Sequence, residues 1–272
     1  MKRWWLLLAA LPLFTAAASD RVVSLGGDVT EIVYGLDAQN TLVGRDTTST
    51  WPEAANSLPN VGYLRQLNAE GILALRPTLV LASAQAQPSQ VLTIVADNNV
   101  RLVTVPGGYS LAAIGQKIDV IAAALGKADR GAALHRQLER EIAALHAPAL
   151  NKRVMFLLSH GGMGTLVSGQ QTAADAAIRA AGLRNAMQGF DHYRPMSQEG
   201  VIASQPDLIV ISADGVKALG GEANIWRLPG LAQTPAGRNK QVMIVDDVAL
   251  LSFGLRTPGA IQALRHYAER LP

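Results

Sequence analysis

Few side chains in this 272-residue sequence combine types that do chemistry at short spacing. Tyr63 and Arg65 are the clearest pair, in Pro59-Asn60-Val61-Gly62-Tyr63-Leu64-Arg65. A phenol titrates near pH 10, and a cation beside it favours its anionic form. In an extended segment, residues i and i+2 share a face, so this spacing predicts that Arg65 reaches Tyr63. His160 follows a β-rich run, Arg153 to Ser159, and precedes Gly161-Gly162-Met163-Gly164. At the C-terminal end of a parallel strand, such a histidine faces a ligand crevice. From residue types alone, packing for Tyr63, solvation for Arg65 and a loop contact for His160 stay open.

Other chemistries are poorly served. The Gly161–Gly164 run lacks both the GxGxxG pattern and the Walker lysine. No nucleophile, base and orienting group can be assembled, so no catalytic residue is assigned. Five histidines are scattered, with no His-rich loop of the kind a zinc or manganese carrier needs. His135, His146 and His266 fall on helical faces and read as surface residues. His192 precedes a helix, in a loop that could border a cleft.

The elements that would position these residues alternate. Arg21–Leu25, Thr41–Val43, Thr78–Ala82 and Arg101–Val105 read as strands. Val29–Leu36, Ala69–Leu75 and Ser89–Asp97 read as helices between them, a rhythm that predicts a parallel sheet covered by helices. Apolar residues from Ile114 to Leu145, spaced mostly three, four or seven apart, predict one long helix over 110–147, with possible kinks at Gly126 and Gly131. Strands over Arg153–Ser159, Asp207–Ser212 and Gln241–Val245 then resume the rhythm, with helices over Thr172–Ala181, Gln198–Ser204 and Pro258–Arg270. The expected fold is α/β: two Rossmann-like lobes, 19–109 and 148–272, joined by a single long interdomain helix.

An internal repeat supports two lobes. QLNAEGILALRPTLVLAS from Gln66 aligns without gaps to PMSQEGVIASQPDLIVIS from Pro195. Asn68 and Ser197 are suitable N-caps. Glu70 and Glu199 fall in the first helical turn, where the helix dipole favours a carboxylate. Helix initiation alone would account for both glutamates, yet they recur once per lobe.

The first 18 residues read as a cleavable signal peptide: Lys2 and Arg3, an apolar run from Trp4 to Phe14, then Ala16-Ala17-Ala18. Their removal leaves 22 basic residues against 21 acidic ones, a balance that gives no reason to expect nucleic acid. With no cysteine there is neither a disulfide framework nor a lipid-anchor site, so stability must come from a large core. A soluble protein free in the periplasm is expected.

Taken together, the two lobes, the connecting helix and the paired glutamates resemble the helical-backbone periplasmic binding proteins that serve vitamin B12, siderophore and haem importers. Five stretches look specifically like the haem-binding members of the HmuT/ShuT/PhuT type. They are GGDVTEIVYGL from Gly26, VGRDTTSTWP from Val43, VGYLRQLNAEGILALRPTLVLAS from Val61, LPGLAQTPAG from Leu228 and FGLRTPGA from Phe253. Leu255 stands where that group often has proline. The resemblance implies a carrier that holds ferric haem b between its lobes and delivers it to an inner-membrane ABC permease dimer with its ATPase. An outer-membrane haem receptor would stand upstream, and the carrier would be a monomer. It implies Tyr63 as the iron ligand, since tyrosinate is an established haem ligand, and Arg65 as its cationic partner. His160 becomes a candidate second ligand, and Arg227 and Arg256 become candidates for the propionates. Trp51, Trp226 and Tyr193 are candidates for an apolar wall. Glu70 and Glu199 would dock on permease arginines. A cobalamin or ferric-siderophore carrier of the same fold is the alternative.

Overall fold

The computed structural model describes residues 20–145, 148–160 and 164–272. The expected signal peptide and His146 lie outside the described residues, as does most of the Gly161–Gly164 run.

The first lobe holds a parallel sheet of β1 (Val22–Leu25), β2 (Leu42–Arg45), β3 (Leu79–Ser83) and β4 (Arg101–Val105), in the order β2-β1-β3-β4. Its helices are α1 (Gly27–Gly35), α2 (Ala69–Leu73) and α3 (Ser89–Asp97). The second lobe contains β5 (Arg153–Leu158), β6 (Leu166–Ser168), β7 (Arg184–Asn185), β8 (Tyr193–Pro195), β9 (Leu208–Ser212) and β10 (Val242–Val245). There β10, β9 and β5 run parallel, while β6 and β8 add an antiparallel edge that the sequence pattern does not announce.

Strand periodicity explains how the lobes are joined. In β1 and β3, Val22, Leu79 and Leu81 face one core, while Val23, Leu25, Val80 and Ala82 face another. In β5 and β9, Val154, Phe156, Leu208 and Val210 point to the first of these cores; Met155, Leu157, Ile209 and Ile211 point to a third. One apolar core therefore runs beneath both sheets, and each lobe keeps a private core on its other face. This is the two-faced burial expected of parallel sheets.

The single helix expected over 110–147 is two helices, α4 (Leu111–Ala124) and α5 (Ala128–Ala143). Gly126 adopts φ +64°. Its N–H bonds the carbonyl of Ala123, and the Lys127 N–H bonds that of Ala122. This is a Schellman stop, which glycine permits without a Cβ penalty. The helices then fold back on each other: Gly131 lies against Ala122, and Gly115 against His135. Both bury leucines and isoleucines in the shared core, so the apolar spacing continues through the break. Helices α6 (Ala173–Ala180), α7 (Gln198–Ser204), α8 (Ala213–Ala218), α9 (Pro235–Asn239), α10 (Asp247–Leu251) and α11 (Thr257–Glu269) complete the second lobe. Among the described residues no helix is long and apolar enough to cross a membrane.

Candidate functional site

A cleft of about 1080 Å³ opens between the lobes, at the top of the roughly 300–1,000 Å³ range of small-molecule sites. Its walls come from residues at or just after strand C-termini: Gly26 and Gly27, Ser83 and Gln85, Leu158 and His160, Ser212 and Ala213, and Val245 to Val248. That placement is the rule for ligands of open parallel sheets.

Tyr63 lines this cleft, half exposed. Arg65 lies beside it and donates from Nη1 to the Tyr63 hydroxyl at 2.9 Å. The two meet through a turn rather than an extended segment. The Gln66 N–H bonds the Tyr63 carbonyl at 2.7 Å, and Leu64, buried at the turn's centre, anchors it. Gly62 enters at φ +99°, a conformation that favours glycine. The second guanidinium nitrogen of Arg65 donates to the amide oxygen of Gln85, a residue with no warning in its sequence context.

The floor beside this pair is built on Asp46, which is fully buried. One carboxylate oxygen accepts from the Gly26 N–H at 2.9 Å and the Ser49 hydroxyl at 2.6 Å. The other accepts from the Thr48 N–H and hydroxyl, at 2.9 and 2.7 Å. A buried carboxylate with four donors is a stable knot. It presents Thr47, Thr48 and Thr50 to the cleft and gives the DTTST stretch a structural reason.

The second lobe contributes His160 and Tyr193. Burial pushes the Tyr193 phenol up to about 12; the neighbouring Tyr109 adds to this, and Arg65 and a hydrogen bond to Ser168 oppose it. Tyr193 is therefore a neutral phenol at ordinary pH. Tyr109, from the loop before α4, also lines the cleft, tilted against Phe253 with centroids 6.0 Å apart. Asp214, Asp246 and Asp247 lie on the second-lobe wall, where Asp214 pairs with Lys217 and Asp246 with Arg256. Burial raises the Asp247 carboxyl above its usual range, and Asp246 adds to the shift, while His160 pulls it back.

Two proposed propionate contacts are not brought into the cleft. Arg227, exposed at the end of a 3₁₀ turn over Glu222–Arg227, does not line it. Arg256 is engaged elsewhere. It donates from Nε to Glu31 at 2.7 Å and from Nη1 to Asp246 at 2.5 Å, and it stacks over Trp51 at 5.1 Å. With Glu31 on α1 and Asp246 after β10, Arg256 ties one lobe to the other. Trp51 sits under this arginine, and Trp226 packs with the second lobe's private core beneath Lys240, so neither forms a cleft wall. His192 is exposed outside the cleft, and His135 bonds Asp119 at 3.0 Å on the α4–α5 hairpin.

The repeat forms the same unit in each lobe. Asn68 and Ser197 cap α2 and α7, accepting from the N–H groups of Gly71 and Gly200 at 2.7 and 3.2 Å. Arg76 and Gln205, before the matched prolines, both turn to positive φ, +48° and +43°. Glu70 and Glu199 are exposed in the first turns. Each repeat ends in a serine, Ser83 or Ser212, that lines the cleft.

Comparison with known proteins agrees with this architecture. The periplasmic heme-binding protein BhuT, solved with two hemes, is 43% identical and superposes with a TM-score of 0.87, covering 92% of this chain and 98% of that one. The apo periplasmic heme-binding protein RhuT from Roseiflexus sp. RS-1 is 40% identical, with a TM-score of 0.88 over the same shares. A vitamin B12-binding protein of Vibrio vulnificus (strain CMCP6) is 28% identical across 93% of this chain and 92% of its own length. The periplasmic binding protein family matches residues 22–249. Two parallel-sheet lobes, strand-end loops around an interlobe cleft and a family match over most of the chain lead to one assignment: this protein belongs to the periplasmic binding protein family.

Proposed function

We propose that this chain is a periplasmic carrier that binds ferric haem in the interlobe cleft and passes it to an ABC permease. The observation that carries the reading is the Tyr63–Arg65 pair, a phenol in the cleft with a guanidinium nitrogen 2.9 Å from its oxygen. A phenolate is a hard anionic oxygen donor suited to Fe(III), and the guanidinium supports its charge. Of the three cleft tyrosines, Tyr63 is the one whose hydroxyl accepts a hydrogen bond from a guanidinium, and burial disfavours the anionic form of Tyr193. Haem-binding relatives at 43% and 40% identity support the same cargo. His160, on the opposite wall, is the second iron ligand in this reading. Arg65 is the only arginine or lysine lining the cleft among the described residues, and it serves the phenolate. Glu70 and Glu199 dock on the permease, one contact per lobe.

The test is hemin titration of the purified protein beside Tyr63→Ala, read by absorption. The variant is expected to lose the phenolate–iron bands and to bind more weakly; an unchanged spectrum and affinity would remove Tyr63 from the iron. His160→Ala separates five- from six-coordinate iron. The likeness to a vitamin B12-binding protein gives cobalamin, and by the same fold a ferric siderophore, as the second reading. Uptake of cyanocobalamin or a ferric siderophore without uptake of hemin selects it.

A further inference from the structure

We infer that Gln85 is a positioning and charge-preserving residue for the Tyr63 ligand, holding the Arg65 guanidinium in place with a neutral acceptor. This rests on the haem reading of the same site. Arg65 is exposed, and a free arginine side chain samples many rotamers. Here both terminal nitrogens are engaged, one by the Tyr63 hydroxyl and the other by the Gln85 amide oxygen. Two fixed nitrogens define the plane of the guanidinium and aim one N–H at the phenol.

The Gln85 side chain starts from a well-fixed backbone. Its own N–H bonds the Ser83 hydroxyl at 3.3 Å, and the Ala86 N–H bonds the Ser83 carbonyl at 2.9 Å. The loop after β3 is also zipped to the Tyr63 turn: the Gln87 N–H bonds the Leu64 carbonyl at 2.7 Å, and the Leu67 N–H bonds that of Gln87 at 3.0 Å. The donor, its holder and the ligand are therefore tied together through the backbone as well as through their side chains.

The amide matters as much as the position. A glutamate here would grip Arg65 equally well but neutralise it, and the phenolate would lose its counter-charge. Glutamine keeps the full positive charge for Tyr63. No sequence motif marks this role, because Arg65 and Gln85 are 20 residues apart.

The experiment compares the wild type with Gln85→Leu, Gln85→Glu, Arg65→Ala and Tyr63→Ala, each loaded with hemin. Two quantities are read: the dissociation rate to apomyoglobin, and the acid midpoint at which the phenolate–iron bands disappear. Gln85→Leu is expected to release hemin roughly 3–10-fold faster, with a midpoint between those of the wild type and Arg65→Ala. Gln85→Glu is expected to raise the midpoint further than Gln85→Leu although it can still hold Arg65. A merely structural role would leave the midpoint unmoved in both variants, and that result overturns the inference. If Tyr63→Ala leaves the hemin spectrum intact, the parent reading fails first. If Tyr63→Ala changes it and the Gln85 variants do not, only the role of Gln85 is refuted.

Discussion

Removal of the Lys117 ammonium is predicted to be among the most destabilising single changes in this protein. Lys117 on α4 is 3% exposed, and its Nζ lies 2.6 Å from the Asp28 carboxylate on α1. It also donates to the carbonyls of Ser252 and Phe253, at 2.8 and 3.0 Å. Those carbonyls follow α10, so one ammonium joins the first lobe to the C-terminal segment of the second. Lys117→Met keeps the volume and deletes the charge. Asp28 is then buried without its counter-ion, a loss of about 3–5 kcal/mol, and two carbonyls lose a donor. For a chain of this size about 2–4 °C of Tm accompanies each kcal/mol, so Tm should fall by about 6–20 °C. Circular-dichroism melts and urea titrations read the change. Adding Asp28→Asn removes the stranded charge and should restore a substantial part of the loss. A loss below about 1 kcal/mol for Lys117→Met, or a double variant no more stable than the single, would refute the claim that a buried, compensated charge pair holds this junction.

Two further outcomes follow from the site. The folded-state pKa of Asp247 is raised, chiefly by burial, so its stabilising protonation is complete below about pH 3.8 and is lost as pH rises through the folded value. Asp247→Asn should therefore melt higher than the wild type at pH 7 and show no advantage near pH 3; an equal advantage at both would contradict the shift. Substituting Glu70 and Glu199 together by alanine should leave hemin spectra and affinity intact while abolishing delivery to permease-containing proteoliposomes, and delivery at the wild-type rate would remove both from docking.

Much of the fold is readable from local pattern because the rules involved are local. Nearly continuous apolar runs mark β1, β3, β5 and β9, and the paired Asn68 and Ser197 caps mark the repeat. The α4–α5 hairpin escaped the same reasoning: both helices face one shared core, so the apolar period runs on, and only Gly126 signals the reversal. The short antiparallel strands β6 and β8 depend on pairing between distant segments and carry little pattern of their own. In the cleft, Tyr63 and Arg65 were visible as neighbours, though a turn rather than an extended segment joins them. The ion pairs of Arg256 are not legible in sequence, because its partners, Glu31 and Asp246, are distant and nothing near it announces them. Gln85 and Tyr109 were missed for the same reason, since a lone glutamine or tyrosine in a loop has no signature until tertiary structure gives it a neighbour.

The construction of the cleft from strand-end loops also bears on how such a protein changes its cargo. Many of the side chains that line the cleft belong to strand-end loops, such as Thr47, Thr48, Tyr63, Arg65, Gln85 and Tyr109, while most of those that hold the sheets belong to three apolar cores. Mutation at those loop positions can therefore rewrite part of the recognition surface while the cores stay intact. A lineage is free to drift from one large metallated macrocycle to another while its scaffold is inherited almost unaltered. The likeness of this one chain to relatives named for heme and for vitamin B12 is the record that such a separation would leave.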